Sequence, residues 1–434
     1  MRRMLTLAVL LSSAVGLLAF STAASAVPPP TSTFTFTNNM HPLGFSPRAN
    51  TQSPFTANSD IAFWGKTAYH GNYDGFRIID ITEPDNPVEL NDYRACAGNQ
   101  GDVIVWGSIL VRSWNSPAPA GATCDGEPVP QGWEGVHVFD VSDPSDPDLV
   151  ASVETECGSH TATGVPDTAN DRLLVYNSAS SGACPGLDII EVPLDDPASA
   201  SLIHSYLEVA AGRSCHDTGV ILGDKLKAAC AGGNGFTVFS MDPADGGSLG
   251  LPVFERSVSI PGVTIGHSAA FTWDGDVIIF GHEPGGGSQA RCQESSSTVD
   301  RTLFFFDTDT GAQVGAFVNT RFQTATENCT WHNYNVVPTP GGYVLVAAQY
   351  QGGISVVDFS DPANAKEIAY ADPAPLSETQ LILGGDWSDY WYNGRIYESD
   401  ITRGLLIWRL SDKAVAMART LGHLNPQTQE FTIG

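Results

Sequence analysis

The sequence predicts an all-β fold, a seven-bladed β-propeller of four-stranded antiparallel blades, and three observations support this prediction. A short motif, a glycine followed by an apolar strand, recurs about every fifty residues along the 434-residue chain. Glycine (44) and proline (28) are abundant, which is typical of short strands joined by many turns. Amphipathic helical patterns are essentially absent. Seven similar units without helices fit a propeller, in which radial repetition protects the sheet edges.

The repeated motif consists of a glycine, an apolar strand and a polar residue five positions after the glycine. The first copy, at residues 75–80, reads GFRIID. The other copies are at 135–140, 186–191, 235–240, 353–358 and 404–409, and a copy at 303–307 lacks the glycine. Two consecutive β-sandwiches are the alternative, but sandwiches do not keep one register through seven copies.

Each unit is interpreted as four strands, named A to D in chain order. In the fourth unit these are residues 215–222, 225–231, 236–241 and 252–260. Gly223 and Asp224 supply the tight turn between A and B, and Asn393 and Gly394 supply its counterpart in the last unit. Proline-rich turns often follow strand C, because proline fixes φ.

The chain is predicted to have four parts. These are a signal peptide at 1–26, an N-terminal extension at 27–57, the propeller at 58–423 and a C-terminal tail at 424–434. Within the signal peptide, Arg2 and Arg3 precede an apolar stretch, and small residues favour cleavage after Ala26. No later apolar run reaches the roughly 20 residues that a membrane span needs, so we expect the protein to be secreted. We also expect it to be a monomer. Residues 38–45 and 414–421 compete for the outer strand that closes the ring.

The eight cysteines predict disulfide bonds, because cysteines of exported chains are usually oxidised. Their positions favour pairing between neighbours in the sequence, one of 105 possible connectivities. The favoured pairs are Cys96–Cys124, Cys157–Cys184, Cys215–Cys230 and Cys292–Cys329. Three of these bridges would fix loops on one face of the propeller.

Charge and missing motifs argue against several functions. Lys and Arg total 21 against 48 Asp and Glu, a net charge of -27, which repels nucleic acid. The sequence has no Gly-x-Ser-x-Gly elbow, His-Glu-x-x-His helix or phosphate loop, which argues against a serine hydrolase, a zincin and a nucleotide enzyme. Calcium binding is one role for Asp386, Asp389 and Asp400, but they match no calcium-binding loop such as the EF-hand, so we expect them in solvated turns instead.

The strand and turn at residues 75–84, with copies at 135–144 and 353–362, resemble the LVIVD repeat of secreted bacterial β-propellers. The resemblance covers roughly residues 58–423. It implies the propeller fold and no particular reaction, since a structural strand defines this family. Units four, five and seven depart from the pattern, at Ser240, Asp307 and Arg409.

Four histidines occupy equivalent places, just before or at the start of strand A in units three to six. They are His160, His216, His267 and His332. The entry to strand A and the B–C loop open on the same face of a propeller, so these rings are expected to share one face. Four neutral imidazoles can hold one divalent transition-metal ion, as in propellers of the carotenoid-oxygenase type, an analogy of arrangement only.

Two other roles for these histidines remain open at this stage. The pair Gly266 and His267 is similar to the Gly-His device of WD-repeat propellers, in which the ring stabilises its own blade. A histidine can also act as an acid or base without a metal. The direction of the side chains decides between these readings: rings that converge on the axis indicate a metal site.

Three functions therefore remain. The first is binding of an extracellular protein or glycan through a face on which Trp114, His282, Tyr350 and Trp387, with Trp133 and Tyr390, offer contacts. The second is a metal-dependent enzyme with Glu283 or Asp217 as proton-handling residue. The third is a polysaccharide lyase with histidine and tyrosine as base and acid, which needs a basic pocket. The candidate residues for this basic pocket are Arg291, Arg301 and Arg321.

Overall fold

The structure, a computed structural model, describes residues 26–48, 57–179, 184, 186–207 and 214–434. The predicted signal peptide lies outside the described residues, except for Ala26. Within the described residues, helices are limited to three-residue 3₁₀ turns: Thr31–Thr33, Thr168–Asn170, Pro197–Ser199, Pro243–Asp245, Val299–Arg301, Pro362–Asn364 and Lys413–Val415. None of the helices in the described part of the chain has the length and apolar composition of a membrane span.

The chain is an all-β propeller whose first five sheets are antiparallel meanders in sequence order. Strands A to D are Asn58–Trp64, Thr67–Asn72, Gly75–Asp80 and Val88–Tyr93 in the first sheet, and Val103–Trp106, Ile109–Trp114, Gly135–Asp140 and Asp148–Glu154 in the second. They are Thr161–Asp167, Arg172–Ser178, Leu187–Pro193 and Ser201–Leu207 in the third sheet, and Thr218–Leu222, Leu226–Gly232, Gly235–Ser240 and Val253–Ser259 in the fourth. In the fifth sheet they are Gly266–Phe271, Val277–His282, Thr302–Asp307 and Gln313–Val318. A small hairpin, Thr123–Cys124 and Glu127–Pro128, lies in the B–C insertion of the second sheet.

The remaining strands form a nine-stranded sheet, so the sheets differ in strand number. In order across the sheet, its strands are Thr35–Phe36, Lys366–Asp372, Ile354–Asp358, Val344–Ala348, Asn333–Val336, Asp386–Tyr392, Arg395–Asp400, Gly404–Leu410 and Met40–Pro47. The two A strands in the middle run parallel, with Asn333 opposite Ser388. The last strand comes from the N-terminal end of the chain and pairs antiparallel with Gly404–Leu410.

The apolar core lies between neighbouring sheets. In one cluster, Phe236 of the fourth sheet packs against Phe280 and Phe306 of the fifth, with ring centroids 5.7 and 5.0 Å apart. In the A strand of the first sheet both faces are covered, and the consecutive residues Ile61, Ala62 and Phe63 are all buried. This packing holds the A strands, and the loops that enter them, in place.

The C-terminal residues lie against the inner strands of the propeller. Asn425 exchanges two hydrogen bonds with the backbone of Val105, and the Thr428 hydroxyl donates to the carbonyl of Gly164. Two short strands, His423–Leu424 and Thr428–Gln429, pair with the A strands of the first and fourth sheets. The tail thus lies along the centre of the ring, where Gln427 reaches the carboxylate of Asp60.

Four disulfide bonds connect neighbouring cysteines of the sequence. They are Cys96–Cys124, Cys157–Cys184, Cys215–Cys230 and Cys292–Cys329, and no cysteine of the described chain is free. Disulfides persist in oxidising compartments, so this set is consistent with an extracellular protein.

Candidate functional site

The side chains of His160, His216, His267 and His332, named here the histidine cluster, converge on one cavity of about 300 Å³. The centroids of consecutive rings lie 4.3, 4.1 and 4.3 Å apart. Each histidine stands within two residues of the start of an A strand, at the same place in four successive repeats. The repeat register therefore brings together rings that are far apart in the sequence.

Disulfide bonds hold three of the segments that carry these rings. Cys215 directly precedes His216, and Cys157 and Cys329 each lie three residues before a histidine of the cluster. A cross-linked loop has fewer conformations than a free one. The bridges thus limit how far the rings can move away from one another.

The Nδ1 atoms of His160 and His332 bind oxygen atoms of other loops. His332 Nδ1 lies 2.5 Å from the main-chain carbonyl oxygen of Trp387, which only accepts hydrogen bonds. His160 Nδ1 lies 2.9 Å from Oδ1 of Asn115. Both Nδ1 atoms therefore carry the proton, and the Nε2 atom of each neutral ring keeps its lone pair.

Asp217 orients the other two rings. Its Oδ1 atom lies 3.2 Å from Nδ1 of His216. The Ser268 hydroxyl donates to Asp217 Oδ2 over 2.9 Å, so its oxygen is left to accept from Nδ1 of His267, 2.6 Å away. Once more Nδ1 is the donor and Nε2 is free. Metal-binding histidines are commonly fixed in this way, by an acceptor on the second ring nitrogen.

The Nε2 atoms of His160 and His216 point toward each other. They are 2.8 Å apart, although the partners of both Nδ1 atoms leave a lone pair on each Nε2. Two lone pairs at this distance repel unless a cation lies between or beside them. Two nitrogen ligands about 2.0–2.1 Å from one ion, at right angles, are themselves about 3 Å apart. The observed separation therefore suits two ligands of a single metal ion as well as a shared proton.

The electrostatics of the cluster keep most of its rings neutral. Burial lowers the pKa of His160 to about 3 and that of His332 to about 4. Burial and the neighbouring imidazoles lower the pKa of His267 well below its ordinary value. Burial also opposes protonation of His216, but the Asp217 carboxylate outweighs it and raises the pKa of this ring. Neutral imidazole is the form that binds metals.

Glu283 is the carboxylate that faces the free nitrogens. Its two oxygens lie 3.9 Å from Nε2 of His267 and 3.9 Å from Nε2 of His332. The Tyr350 hydroxyl donates a hydrogen bond to it. Burial raises the pKa of Glu283 to about 7, a value suited to a group that exchanges protons near neutrality. Asp217, the other candidate, is already engaged by His216 and Ser268 and acts as a positioning residue.

Other cavity residues were not singled out from the sequence. Asp60 and Asp102 lie on the A strand of the first sheet and just before that of the second, and burial raises the pKa of both carboxyls. Both aspartates occupy nearly the same place in the repeat as the histidines, and this position is the sequence feature by which they could have been identified. Gln427 comes from the C-terminal tail and had no such signal.

The structure separates the predicted contact residues into two groups. Tyr350 and Trp387 line the cavity, whereas Trp114, Trp133, Tyr390 and His282 are buried elsewhere. Trp114, for example, packs edge-on against Trp133 under the B–C insertion of its own sheet. A buried ring cannot stack on a ligand, so the expected aromatic surface is not formed by these four side chains.

The three arginines proposed for a basic pocket do not line the cavity. Arg321 pairs with Asp372 over 2.6 Å, Arg291 lies 3.5 Å from Asp300, and Arg301 donates to the carbonyl of Asn319. Since their charges are directed to groups outside the cavity, a uronate-binding lyase site is not assembled here.

The LVIVD repeat is recognised in three segments of the chain, residues 57–95, 129–155 and 337–370. No curated protein matches the sequence. Each of these segments contains the C strand of a different sheet, so the match concerns the framework of the propeller.

Solved structures share the fold at low identity. The β-propeller domain of Cps50 (Swd1) from Myceliophteria thermophila is 11% identical, with a TM-score of 0.51, and the alignment covers 84% of this chain and 100% of that chain. A chain of a mitotic checkpoint complex is 11% identical with a TM-score of 0.51, covering 94% and 99%. Raptor from Chaetomium thermophilum is 10% identical with a TM-score of 0.51, and the alignment spans 83% of this chain but 29% of Raptor. These likenesses concern the fold alone.

Proposed function

We propose that this LVIVD-repeat β-propeller binds one divalent transition-metal ion in its histidine cluster and acts as a metal-dependent enzyme. One observation carries the proposal: Nε2 of His160 and Nε2 of His216 lie 2.8 Å apart, while the Nδ1 atom of each ring faces an oxygen atom of Asn115 or Asp217. Nε2 of His267 and of His332 are free because Nδ1 is the donor in each ring. Four such nitrogens beside one cavity form a ligand set for zinc, copper, iron or nickel.

The cavity supplies what a reaction on a small molecule requires. Its volume of about 300 Å³ is at the lower end of the range for ligand pockets. Tyr73, Trp387 and Leu383 provide apolar wall, while Glu283 can accept or donate a proton next to the free nitrogens. A bound divalent ion would supply Lewis acidity to a substrate oxygen. The residues of the chain would orient the substrate and handle its protons.

Binding of an extracellular protein or glycan through the same face has weaker support. Of the aromatic side chains proposed for it, Trp387 alone is partly exposed among the described residues. Apolar side chains are exposed at 381–383, and Leu383 among them lines the cavity, so they suit the mouth of a pocket as well as a docking surface. The metal centre explains more of the geometry, because partner binding gives no reason for the hydrogen bonds at the four Nδ1 atoms.

Two structural features belong to the same proposal. We count seven blades, taking the nine-stranded sheet as two four-stranded blades joined at their A strands, with Thr35–Phe36 as an added edge strand. We also take the protein to be secreted, since four disulfides suit an oxidising compartment. Secretion would place the cluster where metal ions are not held by intracellular buffers.

Metal content tests the proposal directly. Untagged protein would be stripped with a chelator, dialysed separately against zinc, copper, iron, nickel and cobalt salts, and assayed by mass spectrometry of the metal. We expect one equivalent of at least one of these metals in the native protein. The double substitution His216→Ala/His267→Ala should abolish this binding.

His204 provides a matched control. This residue lies on the strand Ser201–Leu207, outside the cavity, so His204→Ala should bind the same amount of metal as the native protein. If the native protein retains none of the five metals, or if the double variant binds as much as the native protein, the cluster is a proton-sharing structural feature and the proposal fails.

A further inference from the structure

A second group of carboxylates lies apart from the histidine cluster, buried within the nine-stranded sheet. We name Asp386, Asp389, Glu398 and Asp400 the acidic cluster. Asp386 is paired in register with Asp400, and Asp389 with Glu398, on the antiparallel strands Asp386–Tyr392 and Arg395–Asp400. All four side chains are fully buried. The expectation that the aspartates lie in solvated turns is therefore wrong, because they are strand residues covered by neighbouring elements.

The hydrogen-bond donors around the acidic cluster serve only one part of it. Asp400 Oδ1 accepts from the backbone N–H groups of Thr402 and Arg403 and from the Thr402 hydroxyl, and Arg403 pairs with its other oxygen. Glu398 Oε2 accepts from the indole N–H of Trp408 over 2.5 Å. These contacts supply at least one hydrogen bond or ion pair to each oxygen of Asp400 and to one of the two oxygens of Glu398.

The remaining oxygens have no donor. Both oxygens of Asp386 and Oε1 of Glu398 are buried without a hydrogen-bond partner. The ligand oxygens of Asp386, Glu398 and Asp400 lie within 4.8 Å of one another. Asp389 is a separate observation: both of its oxygens are also buried without a partner, and it faces Asp386 and Glu398. Five unpartnered carboxylate oxygens thus point into one small region.

Charge balance at this place needs either a bound cation or bound protons. Four carboxylates are buried together and Arg403 is the single cation paired with them in the described structure. Removing an uncompensated charge from water costs several kcal/mol, so buried carboxylates are paired, protonated or bound to metal. Packing does not explain why four such groups lie beside one another on two adjacent strands.

We infer that the acidic cluster binds one calcium ion through the carboxylates of Asp386, Asp389, Glu398 and Asp400. Calcium takes six to eight oxygen ligands and accepts carboxylates with one or both oxygens. The five free oxygens, together with one oxygen of Asp400 that keeps a lone pair beside its bond to Arg403, reach the lower end of that range. Transition metals prefer nitrogen or sulfur ligands, and magnesium keeps several waters, which a fully buried site does not provide.

The position of the ion would support the wall of the cavity. The backbones of Asp386 and Tyr350 exchange two hydrogen bonds, of 3.0 and 3.1 Å. Trp387, whose carbonyl accepts from His332, directly follows Asp386. The calcium site would thereby hold the segment that lines the cavity, but its existence does not depend on a metal in the histidine cluster.

Proton sharing is the competing explanation. Burial and the neighbouring carboxylates raise the pKa of Asp386 and of Asp389 well above their ordinary values, and burial raises the pKa of Glu398 to about 7. Without a cation, the cluster would therefore retain protons near neutrality. Calcium and protons compete for the same oxygens, which makes the two explanations separable by titration.

The test uses chelator-treated full-length protein and calcium chloride alone. Isothermal titration should show one calcium site, with an affinity in the micromolar to millimolar range. Terbium should give sensitised luminescence on tryptophan excitation, because Trp408 is hydrogen-bonded to Glu398, and calcium should displace it. Hydrogen exchange of the amides in 386–400 should slow when calcium is added, a local readout that needs no variant.

Variants separate the acidic cluster from surface carboxylates. Asp389→Asn and Glu398→Gln keep the shape of the side chains and should abolish both the heat of calcium binding and the luminescence. The exposed Asp85→Asn should leave them unchanged. The inference is overturned if the native protein binds no calcium, if the exchange of 386–400 does not respond, or if Glu398→Gln binds like the native protein. Greater stability of Glu398→Gln without any calcium response would establish proton sharing instead.

Discussion

The hydroxyl of Tyr350 donates a 2.6 Å hydrogen bond to Oε1 of Glu283, across two different sheets. Both side chains are buried, and within the described residues Tyr350 is the one hydrogen-bond donor to this carboxylate. This bond fixes the carboxylate beside the free nitrogens of His267 and His332. It also joins the loop that follows the fifth sheet's B strand to the loop of the next repeat.

Replacing Tyr350 by phenylalanine should destabilise the metal-free protein by about 1–3 kcal/mol, because a buried carboxylate loses its donor while the ring is retained. Urea denaturation in the presence of a chelator would measure this change. In a Glu283→Gln background the same substitution should cost less, since no charged acceptor remains. Equal costs in both backgrounds would contradict the coupling of Tyr350 and Glu283.

Ser268 transmits the orienting effect of Asp217 to His267, since its oxygen accepts from Nδ1 while its proton goes to the carboxylate. If the histidine cluster binds metal, Ser268→Ala should weaken binding about 10–100-fold while the stoichiometry stays at one ion. Competition with a chromophoric chelator would measure the affinity. Ser355→Ala, which removes a buried hydroxyl from another sheet, should leave the affinity unchanged. A similar loss in both variants would indicate a general loss of stability.

Asp102 should make the metal-free protein less stable as the pH rises. Burial, together with Asp60 beside it, raises the pKa of Asp102 well above its ordinary value. The native state therefore binds a proton that the unfolded chain has lost, and stability falls as the pH rises from about 4 through the raised native pKa. Asp102→Asn should remove this fall, because an amide oxygen can still accept from the backbone N–H of Ala162.

Urea midpoints between about pH 4 and about pH 8 would test this prediction. The stability of Asp102→Asn relative to the native protein should increase with pH, whereas the exposed Asp85→Asn should show no such trend. A difference that is constant over the whole range would show that Asp102 does not retain a proton in the native state.

The N-terminal strand should contribute strongly to stability, because it completes the nine-stranded sheet against Gly404–Leu410. Met40 on this strand is 1% exposed and Met417 is 71% exposed. Met40→Ala should therefore cost about 2–5 kcal/mol of unfolding free energy, and Met417→Ala less than about 0.5 kcal/mol. Chemical denaturation of the two variants checks this. Similar small costs would mean that the strand is dispensable for the fold.

Much of the framework could be predicted because it depends on local, periodic patterns. The glycine at the start of six of the seven C strands and the turns between A and B recur in the sequence, and strands form where these signals predict them. His160, His216, His267 and His332 kept their place in the repeat, so their shared cavity could be anticipated. The surroundings of Trp114 could not, because the insertion that buries it carries no periodic signal.

By itself, the sequence determined that this chain forms a β-propeller with LVIVD repeats and that four imidazoles stand at equivalent positions, since both follow from repeat register. Only the tertiary structure decided which nitrogen of each ring is free. The acceptors of His160 and His332 are Asn115 and Trp387, supplied by segments 45 and 55 residues away in the chain. Which residue becomes such an acceptor depends on how the separate sheets pack side by side. The pattern of residues along one strand does not indicate which strand or loop will lie across from it.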